Sequence, residues 1–265
     1  YFKFRGICWL QMPLFLLNLH VICSPRTTIL KNHAMNPPYQ HLFFDLDRTI
    51  WDFETNAKEA IADIHTHFNL ESRDITLENF HITYKKINEQ LWEKYRNGLI
   101  TKEKLTTERF YKTFRTLGFD SQQQGKAAGQ LYLELSAQKT HLFPHTHETL
   151  SYLNKKYELH IITNGFKEVQ TGKLKNCNIG QYFNHLITSE DVGFQKPDVR
   201  IFEYALQRAD TNSKKSLMIG DDEKTDILGA SKAGMNYIWF NPGKRESLFN
   251  SKPAIYSLKE LTEIL

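Results

Sequence analysis

Five short apolar runs, each ending in polar or glycine residues, limit the folds open to this chain. The runs are His41–Phe44, Leu159–Ile162, His185–Thr188, Ser216–Ile219 and Asn236–Phe240. Continuous apolar runs of this length are typical of strands that are buried on both faces of a parallel sheet. Helical patterns separate them, at Thr146–Lys156, Phe166–Asn176, Val199–Ala209 and Thr225–Ala233. The alternation of strands and helices predicts a doubly wound α/β fold.

One interval departs from this alternation. About 90 residues separate the first run from the second, whereas a crossover between parallel strands needs only about a dozen. Apolar residues recur in it at helical spacing, as at Ile61, Ile64 and Phe68, and Asn56 followed by Glu59 has the pattern of a helix start. We therefore predict an all-helical module at 53–140, inserted into a core of residues 35–52 and 141–265.

Residues 1–34 differ in composition from the rest of the chain. They contain an apolar stretch from Cys8 to Cys23 behind two basic residues, and no acidic residue. The stretch is too short and too often interrupted by polar residues to predict a membrane span. A basic start and an apolar middle are typical of a signal peptide, but no small-residue cleavage site follows. Two interpretations stay open: a signal-like extension, or non-native residues ahead of a translation start at Met35.

The charge balance and the cysteine content of the remaining chain indicate which partners it can bind and in which compartment it is located. Residues 1–34 hold four of the 34 basic residues, so from Met35 onward 30 basic residues face 30 acidic ones. A formally neutral chain has no overall electrostatic attraction for nucleic acid, and we predict no nucleic-acid partner. Cys177 is the single cysteine after Met35. A lone thiol fits a reducing compartment, which predicts a cytoplasmic protein.

Two aspartates, Asp45 and Asp47, directly follow the first predicted strand. In open parallel sheets, ligands bind at the carboxyl ends of the strands. Two carboxylates at such an end suit a divalent cation and acid–base chemistry. A turn rich in aspartate would have the same sequence, so this pair is suggestive only in combination with other clusters.

Three more polar clusters follow later strands, and each has a simpler structural explanation when taken alone. Thr163 and Asn164 suit either an anion cradle or an ordinary helix cap. Lys196, before Pro197, suits either a charge aimed at a ligand or a surface lysine. The acids from Asp221 onward suit either a metal or the start of a helix. Together, acids for a cation and Thr and Lys for an anion predict a site for a phosphate ester with Mg²⁺.

In order, these clusters resemble the four motifs of the haloacid dehalogenase superfamily of phosphohydrolases. The resemblance covers 40–265, and the helical insertion is similar to the C1-type cap of that family. The segments FFDLDRTIWDFETN, ITNGFKEVQTGKL, SEDVGFQKPDVRIFEYAL and GDDEKTDILGASKAGM resemble its bacterial pyrimidine 5′-nucleotidase branch. Dehalogenase members carry D-x-Y in the first motif, so the aspartate at position 47 implies phosphoryl chemistry.

The resemblance implies a role for each motif residue. Asp45 would be the nucleophile that forms an aspartyl-phosphate, and Asp47 would be the general acid and base. Mg²⁺ would be held by Asp45, Asp221 and the backbone carbonyl of Asp47. Asp226 would orient Lys196 or a metal-bound water. The residues implied to contact the phosphate group are Thr163, Asn164 and Lys196.

The cap is implied to select the substrate. Asn88, Trp92 and Arg109 would contact it, although aromatic residues at helical spacing, Trp92 and Phe110 included, equally suit the cap's own core. We predict a Mg²⁺-dependent phosphomonoesterase, a nucleoside 5′-monophosphatase with a pyrimidine preference, that is a monomer or homodimer without a membrane partner. A sugar-phosphatase or phosphomutase is the alternative of the same fold, and a catalytically silent binding domain is the alternative of another class.

Overall fold

A computed structural model describes residues 39–265, so the predictions for 1–34 fall outside the described residues. The described chain forms a six-stranded sheet in the order β3-β2-β1-β4-β5-β6, and every neighbouring pair of strands is parallel. The strands are β1 (His41–Phe44), β2 (Glu158–Thr163), β3 (Phe183–Thr188), β4 (Ser216–Gly220), β5 (Asn236–Phe240) and β6 (Ala254–Ile255). The predicted doubly wound α/β fold is confirmed.

Strand β1 lies at the centre of the sheet and is buried along its whole length. Leu42 and Phe44 point into the core on one face of the sheet, and Phe43 points into a second core on the other. Parallel strands that are covered by helices on both faces need apolar side chains at every position. This requirement explains why the strands stand out in the sequence as unbroken apolar runs.

The long interval after β1 folds into four helices with a hydrophobic core of their own. They are α1 (Phe53–His67), α2 (Leu77–Arg96), α3 (Lys102–Thr116) and α4 (Gln122–Gln138). Phe80, Phe110 and Phe114 are fully buried at the centre of this cluster. Phe110 therefore belongs to the core of the cap, which is the second of its two sequence interpretations.

The helix start that the sequence predicts at Asn56 is wrong. Helix α1 begins at Phe53, because the side chain of Asp52 accepts the hydrogen bond of the Thr55 N–H. Asn56 is instead fully buried and joins the two ends of the insertion. Its Nδ2 donates to the carbonyls of Asp52 (2.7 Å) and His141 (2.8 Å), and its Oδ1 accepts from the His141 N–H (3.0 Å).

The remaining helices pack against the sheet. They are α5 (Thr146–Leu153), α6 (Lys167–Asn176), α7 (Ser189–Val192), α8 (Val199–Arg208), α9 (Leu228–Lys232) and α10 (Leu261–Ile264). The helix predicted over Thr225–Ala233 is replaced by a π-helical turn, Glu223–Ile227, followed by α9. The turn begins where the Asp222 side chain accepts from the N–H groups of Lys224 and Thr225.

Over residues 39–265, no helix is both long and apolar enough to span a bilayer. Cys177 is buried and forms no disulfide within the described part of the chain. Burial raises the pKa of its thiol to about 11, which leaves it protonated and unreactive at neutral pH. We assign Cys177 to packing, and the cytoplasmic location stays a prediction.

Candidate active site

The carboxyl ends of the central strands bring the predicted motif residues to one cavity of about 430 Å³. Asp45 follows β1, Thr163 ends β2 and Asp221 follows β4, while Lys196 comes from the loop between α7 and α8. Helices of the cap form the opposite wall of the cavity. The structure therefore brings together the four motif residues that the sequence places at or after strand ends.

Lys196 is the most buried cation in this cavity wall, with 2% of its surface exposed. Its Nζ donates to Asp45 Oδ1 (2.5 Å), Asp226 Oδ1 (2.7 Å) and the carbonyl of Ile162 (2.7 Å). Burial alone would lower the pKa of Lys196, but the carboxylates of Asp226 and Asp45 outweigh it and raise that pKa. The side chain is a fixed positive charge against the oxygens of Asp45.

Asn164 holds the backbone of Lys196 in place. Its Nδ2 donates to the Lys196 carbonyl (3.0 Å), and its Oδ1 accepts from the Lys196 N–H (2.8 Å). Both ends of the amide are thus engaged in positioning the lysine. The contact between Asn164 and phosphate that the resemblance implies stays a prediction.

Three carboxylates gather beside the lysine. Asp45, Asp221 and Asp226 are buried, and each places one oxygen within 4.8 Å of the others. Burial raises the pKa of Asp45 to about 7, Lys196 opposes this rise, and Asp226 adds to it. Burial, together with Asp226 and Asp45, raises the pKa of Asp221 well above its usual range. Buried, mutually repelling oxygens suit a hard divalent cation such as Mg²⁺.

Asp47 is half-buried near the same strand end and pairs with a lysine of its own. Lys173 Nζ donates to its Oδ1 (2.5 Å), and Gln170 Nε2 donates to its Oδ2 (2.9 Å). The two aspartates of the first motif therefore pair with different lysines, Asp45 with Lys196 and Asp47 with Lys173. They also differ in burial, since Asp45 lies in the buried carboxylate cluster and Asp47 is half-buried, and such a difference in environment lets two nearby carboxylates take different roles.

The cap supplies the three side chains that the resemblance singled out. Asn88, Trp92 and Arg109 all line the cavity. The Trp92 ring stacks on Phe166 of the core, with ring centroids 5.5 Å apart. Arg109 is buried above the ring of Tyr132 (4.7 Å), and its Nε and Nη2 have no hydrogen-bond partner among residues 39–265.

Several other cavity residues are not predicted by any pattern in the sequence. The most important of them are Tyr132, Ser136, Phe166, Gln170, Lys173 and Arg245. Gln170 and Lys173 lie three positions apart and share one face of α6, a spacing that is also usual for a solvated helix face. Arg245 comes from a loop after β5 and donates to the Asp221 carbonyl (2.7 Å). No local pattern distinguishes it from other loop arginines.

Comparison with known proteins decides the family. The family model of the haloacid dehalogenase-like hydrolases matches residues 42–240. The chain belongs to this family. It is 32% identical over 231 residues to the pyrimidine 5′-nucleotidase PynA of Streptococcus pneumoniae, covering 86% of this chain and 95% of PynA. It is 31% identical over 229 residues to the pyrimidine 5′-nucleotidase YjjG of Escherichia coli, covering 84% and 96%.

The solved structures agree with this assignment. The putative HAD-hydrolase YfnB of Bacillus subtilis, whose crystal structure contains bound magnesium, superimposes with a TM-score of 0.76 at 29% identity. The alignment covers 85% of this chain and 98% of YfnB. The protein is accordingly a HAD-like hydrolase, and its relatives include phosphatases that act on nucleotides.

Proposed function

We propose that this hydrolase is a Mg²⁺-dependent nucleoside 5′-monophosphatase that prefers pyrimidine nucleotides and works through an aspartyl-phosphate. The observation that carries the proposal is the pair Asp45 and Asp47, which line one cavity and each lie beside a different lysine. Phosphoryl transfer in two steps needs one carboxylate as nucleophile and another as acid and base. The nucleotidase relatives support the same reaction class.

In the first step, a carboxylate oxygen of Asp45 attacks phosphorus, and the bond between phosphorus and the ester oxygen breaks. The carboxyl group of Asp47 gives its proton to that ester oxygen, so the alcohol leaves neutral. Lys196 faces the oxygens of Asp45 and balances the negative charge that the phosphate brings. The hydroxyl of Thr163, at the end of β2, would donate to a phosphate oxygen.

In the second step, water attacks the phosphorus of the aspartyl-phosphate. The carboxylate of Asp47 takes the proton of that water, and the bond between phosphorus and Asp45 breaks. Free phosphate leaves, Asp45 is again a carboxylate and Asp47 is again protonated. The proton that Asp47 loses in the first step therefore returns in the second.

The residues present fit a magnesium ion. Asp45, Asp221 and the backbone carbonyl of Asp47 would hold it, and its charge would offset that of the phosphate and the buried carboxylates. Asp226 is less available for this purpose, because it is already paired with Lys196 at 2.7 Å. Asp226 instead keeps the lysine aimed at Asp45.

The cavity fits a nucleoside. Its volume of about 430 Å³ lies in the range that small organic ligands occupy. The partly exposed ring of Trp92, which stacks on Phe166, offers aromatic surface for a base, while Asn88 and Arg109 offer polar groups. Buried donors without partners are costly, so the unpartnered Nε and Nη2 of Arg109 favour a ligand with oxygen acceptors, such as the carbonyls of a pyrimidine.

A phosphate-release panel tests the proposal. We expect release from UMP and dTMP in the presence of Mg²⁺, less from AMP and glucose 6-phosphate, and none with EDTA. Preferential release from sugar phosphates would favour the sugar-phosphatase alternative. Transfer of phosphate between sugar positions without release would favour a phosphomutase. Release of halide from 2-chloropropionate, with no phosphate from any ester, would overturn phosphoryl chemistry altogether.

Arg109→Lys tests the substrate contact of the cap. The substitution keeps the charge but removes the planar fork that matches paired oxygens. We expect kcat/KM for UMP to fall about 10- to 100-fold, since a buried polar contact discriminates strongly between ligands. The fall for p-nitrophenyl phosphate, which has no base carbonyls, should be at least about tenfold smaller by the same reasoning.

The exposed Arg115 on the same helix provides the matched control. Arg115→Lys should keep kcat/KM for both substrates within about twofold of that of the unmodified enzyme, as is usual for surface positions. Equal losses for UMP and p-nitrophenyl phosphate in Arg109→Lys would contradict a role in recognising the base.

A further inference from the structure

Helix α6 places two polar side chains inside the active site. Gln170 and Lys173 lie three positions apart on the same face of the helix, and both are buried. They lie outside the first-motif aspartates and the lysine loop that the proposed reaction uses directly. Buried polar groups need partners, and Gln170 Nε2 and Lys173 Nζ both find theirs in Asp47, while Gln170 Oε1 has none among the described residues.

Gln170 connects the two halves of the site. Its Nε2 donates to Asp47 Oδ2 (2.9 Å) and to Thr163 Oγ1 (2.7 Å). When Asp47 is ionised it only accepts hydrogen bonds, and the nitrogen end of the amide faces it. One amide group therefore uses its two hydrogens to join the proton-transfer residue to the phosphate-binding residue.

The same bond sets the direction of the Thr163 hydroxyl. Its oxygen accepts from Gln170 Nε2 and from the Gly165 N–H (3.0 Å). A hydroxyl has two lone pairs and one hydrogen. With both lone pairs engaged, its hydrogen is left to donate to a ligand, as phosphate binding requires.

Lys173 holds the other oxygen of Asp47. Its Nζ is 2.5 Å from Asp47 Oδ1 and 3.7 Å from the centre of the Trp51 ring. The indole lies beneath the ammonium group and favours its charge there. Each Asp47 oxygen thus has one donor, and the two donors come from the same rigid helix.

We propose that Gln170 and Lys173 are positioning residues, which align the Asp47 carboxylate for both proton transfers and orient the Thr163 hydroxyl toward phosphate. The inference rests on the proposed function. Misalignment of a reacting group by about 1 Å can cost about 10²-fold in rate. Both steps that use Asp47 should therefore slow when either side chain is removed.

The test compares two leaving groups in Gln170→Leu and Lys173→Met. UMP has an alkoxide leaving group that needs a proton, so we expect kcat for UMP to fall about 10²-fold. The p-nitrophenolate group leaves without one, so formation of the phosphoenzyme from p-nitrophenyl phosphate should change little. Its hydrolysis still needs Asp47 as base, and the phosphoenzyme trapped by acid quench should rise above that of the unmodified enzyme.

The two variants also differ from each other in a defined way. Gln170→Leu should raise KM as well as lower kcat, because Thr163 loses a donor that orients it. Lys173→Met should lower kcat with KM within about threefold, and Lys173→Arg, which keeps the charge, should recover part of the loss. Lys175→Met is the matched control, since Lys175 is exposed on the same helix.

Three results would overturn the inference. The first is that the variants have the same kcat as Lys175→Met. The second is that turnover of both substrates falls equally with no gain in trapped phosphoenzyme, and the third is that kcat of Lys173→Arg is no higher than that of Lys173→Met. Failure of the proposed function is a separate result, because the unmodified enzyme would then release no phosphate and form no phosphoenzyme. Unchanged stabilisation of the variants by Mg²⁺, measured by thermal unfolding, shows that the carboxylate cluster is intact.

Discussion

Asp45→Asn is expected to lower phosphate release about 10⁵-fold, as removal of a nucleophile does in other covalent enzymes. An amide at this position has the shape of the carboxylate but does not attack phosphorus. Folding should be preserved, because Lys196 keeps its bonds to Asp226 and to the Ile162 carbonyl. The measurement is phosphate release from UMP together with acid-quench trapping, which should detect no phosphoenzyme in the variant.

Asp120, an exposed aspartate of the cap, provides the control for this substitution. Asp120→Asn should keep full activity within about twofold, as surface substitutions usually do. Phosphate release near the unmodified rate by Asp45→Asn, with an unchanged thermal midpoint, would remove Asp45 as the nucleophile. The mechanism would then need another attacking group in the cavity.

Asp221→Asn is expected to have opposite effects on stability and activity. Burial and two neighbouring carboxylates raise the pKa of Asp221 above its unfolded value, so its ionised form destabilises the folded protein. That destabilisation is absent at acidic pH and appears as the pH rises through the raised pKa. In EDTA, Asp221→Asn should therefore be more stable than the unmodified protein at pH 8, and the difference should vanish toward pH 4.

With Mg²⁺ present, the order should reverse. The unmodified protein should gain thermal stability from the ion, whereas Asp221→Asn should gain little and lose about 10³-fold in activity, since charge neutralisation by a metal is worth several kcal/mol. Urea unfolding at several pH values, with and without Mg²⁺, measures both effects. Equal stabilisation of the two proteins by Mg²⁺ would place the ion elsewhere.

The strands and the order of the motifs were predictable from the chain alone. Strand β1 is buried on both faces, and this burial leaves an unbroken apolar run that any window along the sequence detects. Strand β6 was missed, because its two residues, Ala254 and Ile255, are too few to form a pattern. The sequence places the start of α1 too late, because Asn56 resembles a cap but lies within α1, where its buried side chain donates to the Asp52 and His141 carbonyls.

Part of the candidate site was predictable for the same reason. Asp45, Thr163 and Asp221 each stand at or next to the carboxyl end of a central parallel strand, and adjacent strands bring such ends together. Their nearness follows from the fold class. The contacts of Lys196 could not be predicted from the sequence. Its ammonium group meets Asp45 only because of the conformation of its loop, which Asn164 stabilises through two hydrogen bonds to the Lys196 backbone.

The amino-acid sequence by itself determined five of the six strands, the helical insertion and which polar residues stand at the strand ends, because burial on both faces of a sheet leaves a local, unbroken apolar run. Only the tertiary structure decided the partners of those residues. Gln170 and Lys173 reach Asp47 across more than 120 residues of chain, and Arg109 becomes a cavity residue only where the cap lies over the core. Such contacts depend on how helices pack, and packing leaves no pattern along the chain.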